Sequence, residues 1–172
     1  MGLMAWTGWL GLSFRLLVGG VWIVAGALKL PDPAASVRAV RAYQLLPEAV
    51  VPSVGYALPI VEVLVGASLV LGLLVRMNAV LSALLFAAFI VGIASAWARG
   101  LQIDCGCFGG GGYDADAPAK YPYEIARDLG LLFASAWLVL RPRAPWALDN
   151  RILYDDRSPL SDSAHDTGEV TR

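Results

Sequence analysis

Long apolar stretches alternate with short polar segments along this chain. Four of the stretches cover residues 7–28, 55–75, 77–97 and 121–140. Each is close to the roughly 20 helical residues needed to cross a hydrocarbon core. The pattern predicts four transmembrane helices and hence an all-α membrane protein, a four-helix bundle. Because little more than Arg76 separates the second stretch from the third, we expect these two helices to form a tight antiparallel hairpin.

The segment between the first two stretches has a different pattern. Prolines interrupt residues 29–53, and between them apolar residues alternate with polar ones. This alternation predicts a short amphipathic helix lying on the membrane surface, with a plain connecting loop as the alternative. The apolar positions are Val37, Val40, Leu45 and Leu46, and the polar ones are Arg38, Arg41 and Gln44.

The composition supports a lipid environment. Hydrophobic residues make up 58% of the chain and charged residues 16%, with a mean hydropathy of +0.62. A soluble domain of this size does not bury so much apolar surface in one core, so the lipid bilayer is the expected solvent. The net charge of −1 and the single histidine provide neither a basic face for nucleic acid nor a histidine metal site.

Residues 1–148 are therefore predicted to form one transmembrane domain, with a loop at residues 99–120, followed by a polar, disordered tail at residues 149–172 that contains His165. The first stretch is expected to be a retained helix and not a cleaved signal peptide, because it lacks a basic start and contains Arg15. Small residues within the stretches, among them Gly19, Gly20, Gly26 and Gly66, predict close helix packing.

The orientation rests on the positions of basic residues. The two sides carry equal numbers of them, but Arg141 and Arg143 directly follow the last helix, whereas Lys120 lies near Asp114 and Asp116. We therefore expect both termini in the cytoplasm and the loop at residues 99–120 outside.

The only cysteines, Cys105 and Cys107, lie in that loop, within Asp104-Cys105-Gly106-Cys107-Phe108-Gly109. Thiol chemistry needs an accessible thiolate, so we expect an exposed loop that carries out redox exchange. A disulfide across one glycine closes a small, strained ring and restricts little of the unfolded chain, which is unlike a structural staple. The alternatives are a metal site completed by another chain and two thiols without chemistry.

Charged residues inside the apolar stretches form a second candidate site. Glu62, Arg127 and Asp128 are each expected about 10 Å below the outer ends of their helices, given a rise of about 1.5 Å per residue. Lys29, at the outer end of the first helix, reaches toward the same level. We expect one polar cluster beneath the cysteine loop, which is either an ion-paired structural network or a proton path or quinone site.

These residues resemble the MauE group of the DoxX-like membrane proteins, named for a methylamine-utilisation accessory protein. The likeness covers about residues 7–141, and the cysteine loop is its most specific part. Further matches are Gly26-Ala27-Leu28-Lys29-Leu30 and Pro59-Ile60-Val61-Glu62, with a glycine at Gly66. The resemblance implies a four-helix, redox-associated protein of the bacterial cytoplasmic membrane, with a thiol-redox role for Cys105 and Cys107.

Two functional hypotheses follow. In the first, the protein is a membrane thiol–disulfide oxidoreductase that exchanges electrons with an extracytoplasmic thioredoxin-like partner or client protein. In the second, it is a non-catalytic scaffold that recruits a secreted redox or antioxidant protein. A quinone is the candidate cofactor, and a homo-oligomer is compatible with both hypotheses.

Overall fold

The computed structural model describes residues 2–141, with side chains from residue 8 onward. Five α-helices follow one another in this range, which confirms the all-α class. They are α1 (Gly2–Lys29), α2 (Pro33–Ala42), α3 (Val51–Leu71), α4 (Val75–Ala98) and α5 (Ala117–Leu140). The predicted polar tail, with His165, lies outside the described residues.

Three of these helices are long and apolar enough to cross a membrane: α1 from Gly8, α3 and α4. Helix α5 covers the fourth apolar stretch and has 24 residues, but Glu124, Arg127 and Asp128 lie in its first half. These charges shorten its apolar run. Length and composition thus support a multi-pass membrane protein with three apolar crossings.

The short helix predicted between the first two stretches is α2. The Asp32 side chain accepts a hydrogen bond from the Ala35 N–H at 3.1 Å, and Pro33 occupies the first turn, so the start of the helix is well capped. Val37 is buried and Arg38 is exposed, as expected of a two-faced helix. The buried side faces α3, because a methyl group on Gly55 would lie 2.6 Å from the Val37 Cα atom.

Helices α1 and α3 touch through their backbones. A methyl group on Gly66 would lie 2.7 Å from the Gly19 carbonyl oxygen and 2.8 Å from the Ile23 nitrogen, and one on Gly26 would lie 2.7 Å from the Pro59 carbonyl oxygen. The predicted close packing at these glycines is confirmed. In a membrane, where lipid tails are as apolar as the helices, such close approach is a main source of helix association.

The expected tight pairing of the second and third apolar helices is wrong in one respect. Gly72 ends α3 in the left-handed region and α4 begins at Val75, so the turn is short. The helices then diverge, and α3 packs mainly on α1 while α4 packs mainly on α5. An apolar cavity of about 290 Å³ lies between α2, α3 and α4, lined in part by Leu58 and Phe89. The short turn places α3 and α4 next to each other in the chain, but each of them packs more closely on another helix.

One buried contact ties α1 to α4. The Trp22 ring stacks on Phe86 with a centroid separation of 4.4 Å, and its indole N–H donates a hydrogen bond to the Ser82 hydroxyl at 3.0 Å. The polar end of this large side chain is therefore satisfied inside the bundle.

The contact between α1 and α3 can be tested with Gly66→Ala. We expect a loss of about 1–3 kcal/mol in the free energy of unfolding, because the new methyl group meets backbone atoms of α1 that do not give way. Gly20→Ala is the matched control, since a methyl group there meets nothing within 4 Å. Thermal unfolding in detergent compares the two variants. Equal melting temperatures for both would contradict this packing.

Candidate functional site

The cysteine loop, between α4 and α5, is folded back on itself. The Asp104 N–H donates to the Gly112 carbonyl oxygen and the Asp114 N–H to the Gln102 carbonyl oxygen, each at 3.0 Å. Ile103 and Tyr113 form an antiparallel bridge between these two bonds. The glycine-rich segment that follows the cysteines is therefore held by backbone hydrogen bonds.

Tyr121, near the start of α5, attaches the loop to the helices. Its hydroxyl group lies 2.9 Å from the carbonyl oxygens of Leu101 and Ile103, and it accepts a hydrogen bond from the Ile103 N–H at 3.2 Å. The side chain is almost completely buried. A buried hydroxyl with several partners fixes the loop relative to α5.

Helix α2 covers the loop from the other side. Gly106 has a φ of +68°, and a methyl group there would lie 2.6 Å from the Ala39 Cβ atom, so both its conformation and its space require glycine. Tyr43, just after α2, donates a hydrogen bond to the Cys105 carbonyl oxygen at 2.9 Å. As a result, Cys105 and Cys107 are only 6% and 7% exposed. The expectation that the two thiols are exposed is wrong, although other residues of the loop, such as Tyr113, are exposed. Sequence alone did not indicate that α2 covers the cysteines.

Both cysteines are buried, free thiols. The Cys107 N–H donates to the Cys105 Sγ atom at 3.3 Å. The neighbouring Cys107 thiol and burial raise the pKa of the Cys105 thiol above its ordinary value. In this closed arrangement Cys105 is therefore a protonated thiol at neutral pH, and becoming a nucleophile requires the loss of that proton.

The predicted charged cluster consists of two ion pairs. Lys29 Nζ lies 2.6 Å from Glu62 Oε1, and both side chains are almost fully buried. Arg127 lies 2.8 Å from the carboxylate of its neighbour Asp128. Phe89 is close to both pairs. The Lys29 ammonium group lies 5.7 Å from the centroid of the Phe89 ring, and Phe89 lines a small cavity together with Arg127 and Asp128. Among the described side chains, no hydrogen bond or ion pair joins the two pairs.

Arg127 connects this charged region with the cysteine loop. Its guanidinium group lies 4.9 Å from the centroid of the Phe108 ring, and Phe108 directly follows Cys107 in the chain. It also interacts electrostatically with both thiols. A fixed positive charge near a thiol favours the thiolate form, so Arg127 is suited to stabilise negative charge on either sulfur atom.

Sequence reasoning missed three residues of this site: Tyr43, Tyr121 and Glu124. Glu124 is half-buried, and its carboxyl group interacts electrostatically with the Cys105 thiol. A signal for two of them is present in the sequence, because polar side chains at positions 121, 124 and 127 recur every three residues just after the cysteine loop. That spacing keeps them on one face of a helix. Tyr43 has no such signal, since only tertiary packing brings it to the loop.

Together these features define a multi-pass membrane protein with a covered two-cysteine loop at one end of its helices. The chain belongs to the MauE family: the family model described as methylamine utilisation protein MauE matches residues 5–141. This confirms the resemblance read from the cysteine loop, and the matched range includes nearly all of the described structure. Comparison with curated proteins and with solved structures gave no match.

The buried ion pair of Lys29 and Glu62 leads to a stability prediction. Glu62→Gln leaves the Lys29 ammonium buried without a counter-charge, and removing one partner of a buried pair costs about 3–5 kcal/mol. Replacing both residues with apolar ones, as in Lys29→Met with Glu62→Leu, should cost less than Glu62→Gln alone, because no unpaired charge remains.

Glu48→Gln is the control, since Glu48 pairs with Arg41 on the surface, where ion pairs contribute little. The stability of all three variants is compared by their melting temperatures in detergent. A Glu62→Gln protein as stable as the Glu48→Gln protein would exclude a stabilising role for the buried pair.

Proposed function

We propose that this protein is a membrane thiol–disulfide oxidoreductase that exchanges electrons with an extracytoplasmic partner through Cys105 and Cys107. The observation that supports this most directly is the geometry of the loop. Two free thiols are separated by a single glycine, and the Cys107 backbone N–H donates to the Cys105 sulfur atom. Arg127 adds positive charge beside them. No arrangement of this kind is needed merely to connect two helices.

The exchange follows the usual chemistry of a dithiol. The Cys105 thiolate attacks a sulfur atom of the partner's disulfide, and the partner's other sulfur leaves as a thiolate. The Cys107 thiol then loses its proton and attacks Cys105 Sγ. The Cys105–Cys107 disulfide forms, and the partner's remaining sulfur leaves as a thiolate and takes up that proton. Two electrons have then passed from this protein to the partner, and the reverse sequence oxidises a partner dithiol.

The cover over the thiols is part of this proposal. Because both sulfur atoms are almost inaccessible, a protein disulfide reaches Cys105 only after α2 and the loop separate. The contacts that must open are the packing of Ala39 on Gly106 and the hydrogen bond from Tyr43 to the Cys105 carbonyl oxygen. A thioredoxin-like partner or client that displaces α2 is the expected reaction partner.

We also propose that α5 is a fourth crossing, which completes a four-helix bundle in the bacterial cytoplasmic membrane. Helix α5 packs along α4 and also contacts α1, as a bundle member does. Arg127 and Asp128 neutralise each other, which lowers the cost of charge at that depth. Four crossings give both termini the same side, and we assign that side to the cytoplasm.

The quinone site at Lys29, Glu62, Arg127 and Asp128 stays a prediction. In each of the two pairs a cation already has its own carboxylate partner, which supports the structural alternative for these residues. Association into a homo-oligomer also stays a prediction.

A trapping experiment tests the exchange. Cys107→Ser leaves Cys105 without a resolving thiol, so the mixed disulfide with the natural partner should accumulate and be recovered under non-reducing conditions. The variant that lacks both cysteines is the control and should trap nothing. If that double variant inserts normally and supports client maturation as well as the unmodified protein does, the scaffold hypothesis replaces this one.

Cysteine labelling tests the topology. In the protein without native cysteines, Tyr113→Cys introduces a thiol at a site that is 78% exposed, and Arg141→Cys introduces one at the far end of α5. An impermeant maleimide added to intact cells should label the first variant, and it should label the second only after lysis. Labelling of both from outside would mean that α5 does not cross, and the reverse pattern would invert the orientation.

A further inference from the structure

A carboxyl group with spare hydrogen-bonding capacity faces the reactive loop. Tyr121 and Ile125 of α5 belong to the apolar cluster that contains Cys105 and Cys107. Glu124 lies between them in the chain, and its carboxyl group interacts with the Cys105 thiol. Its Oε2 atom is buried and has no hydrogen-bond partner among the described residues. Among the described residues, Lys120 forms its salt bridge with Asp114 and Arg127 forms its own with Asp128. Neither cation forms a salt bridge with Glu124.

We infer that Glu124 is a catalytic residue that accepts the proton of the Cys105 thiol, a role that rests on the exchange proposed above. As the S–H bond breaks, the proton moves to the Glu124 carboxylate and the electron pair remains on sulfur. The thiolate then attacks the partner's disulfide. The partner sulfur that leaves takes up the proton from Glu124, which restores the carboxylate.

The surroundings of the two thiols distinguish their roles. Cys105 Sγ receives the Cys107 N–H at 3.3 Å, a donor that stabilises negative charge on that sulfur. Cys107 Sγ receives no such donor and instead lies 3.9 Å from the Cys105 carbonyl oxygen, to which its S–H donates. Cys105 is therefore the nucleophile, and Cys107 is the thiol that resolves the mixed disulfide.

The other groups around the pair are compatible with this assignment. Burial raises the pKa of the Tyr43 hydroxyl, so Tyr43 stays protonated as a hydrogen-bond donor and does not compete as a base. Arg127 is held by Asp128 and supplies positive charge to both sulfur atoms. The titratable or charged groups near Cys105 and Glu124 are Tyr43 after α2, Asp104 and Cys107 in the loop, and Tyr121, Arg127 and Asp128 on α5.

The test measures how fast the single thiol of the Cys107→Ser protein reacts with dithiodipyridine, a small disulfide, as a function of pH in detergent. With Glu124 as the base, the reaction requires its carboxylate form. The rate should therefore show a first, acidic rise as the Glu124 carboxyl group loses its proton, level off, and rise again at alkaline pH as the thiol itself ionises. Glu124→Gln should abolish the acidic rise and slow the reaction at neutral pH by roughly tenfold or more.

The opposite result has a clear meaning. If the Glu124 carboxylate acts only as a negative charge, removing it lowers the pKa of the thiol and makes the reaction faster. A faster or unchanged reaction would overturn the inference. Asp116→Asn is the control, because Asp116 is exposed and its side chain does not cap α5, and it should leave the profile unchanged.

Two further outcomes keep the result interpretable. The acidic rise is measured in a protein that retains Glu124, so its absence would overturn the inference even if Glu124→Gln fails to assemble. Trapping reports on the exchange itself: a normal acidic rise without any trapped partner would remove the proposed function while leaving the proton transfer intact. A trapped partner without the acidic rise would overturn the proton transfer to Glu124 and leave the proposed exchange intact.

Discussion

The close contact of α1 with α3 determines much of the remaining architecture. Glycines on both helices allow the backbones to touch, and this brings Lys29 and Glu62 to 2.6 Å from each other. A buried pair of this kind persists only while both helices stay in register, because separating the charges leaves each without a partner. The same end of α1 supports the cysteine loop, since Gly109 lies against the backbone of Leu28.

The site is consequently a product of packing between distant parts of the chain. Helix α1 lies beneath the loop, α2 lies above it, and Tyr121 holds it to α5. Glu124 and Arg127 follow Tyr121 on the same helix and so reach the thiols from one direction. The positions of the Glu124 carboxyl group, the Arg127 guanidinium group and the sulfur atoms relative to one another therefore depend on how the loop packs, and not on the cysteine motif alone.

The features that sequence predicted were those with a local cause. Apolar length predicted the long helices, and alternating polarity predicted α2. The constant rise per residue of a helix predicted that Glu62 lies about 10 Å below the outer end of its helix, where the Lys29 side chain reaches toward it, and the two residues form a pair. The divergence of α3 from α4 could not be predicted, because it depends on which helix surfaces fit together.

The prediction that the thiols are exposed failed for the same reason. Polar and glycine-rich composition is typical of an exposed loop, and nothing near Gly106 in the chain indicates that Ala39 lies over it. Tyr43 was missed because the residue that it contacts is 62 positions away.

The cover over the cysteines also bears on their chemical survival. An accessible thiolate outside the cytoplasm meets peroxide and other small oxidants, which convert it first to sulfenic acid and then irreversibly to sulfinic and sulfonic acids. Cys105 and Cys107 are shielded from such oxidants by α2, and Cys105 is kept in its less reactive, protonated form. In the proposed exchange, this cover would protect the sulfur atoms from overoxidation whenever no partner is bound.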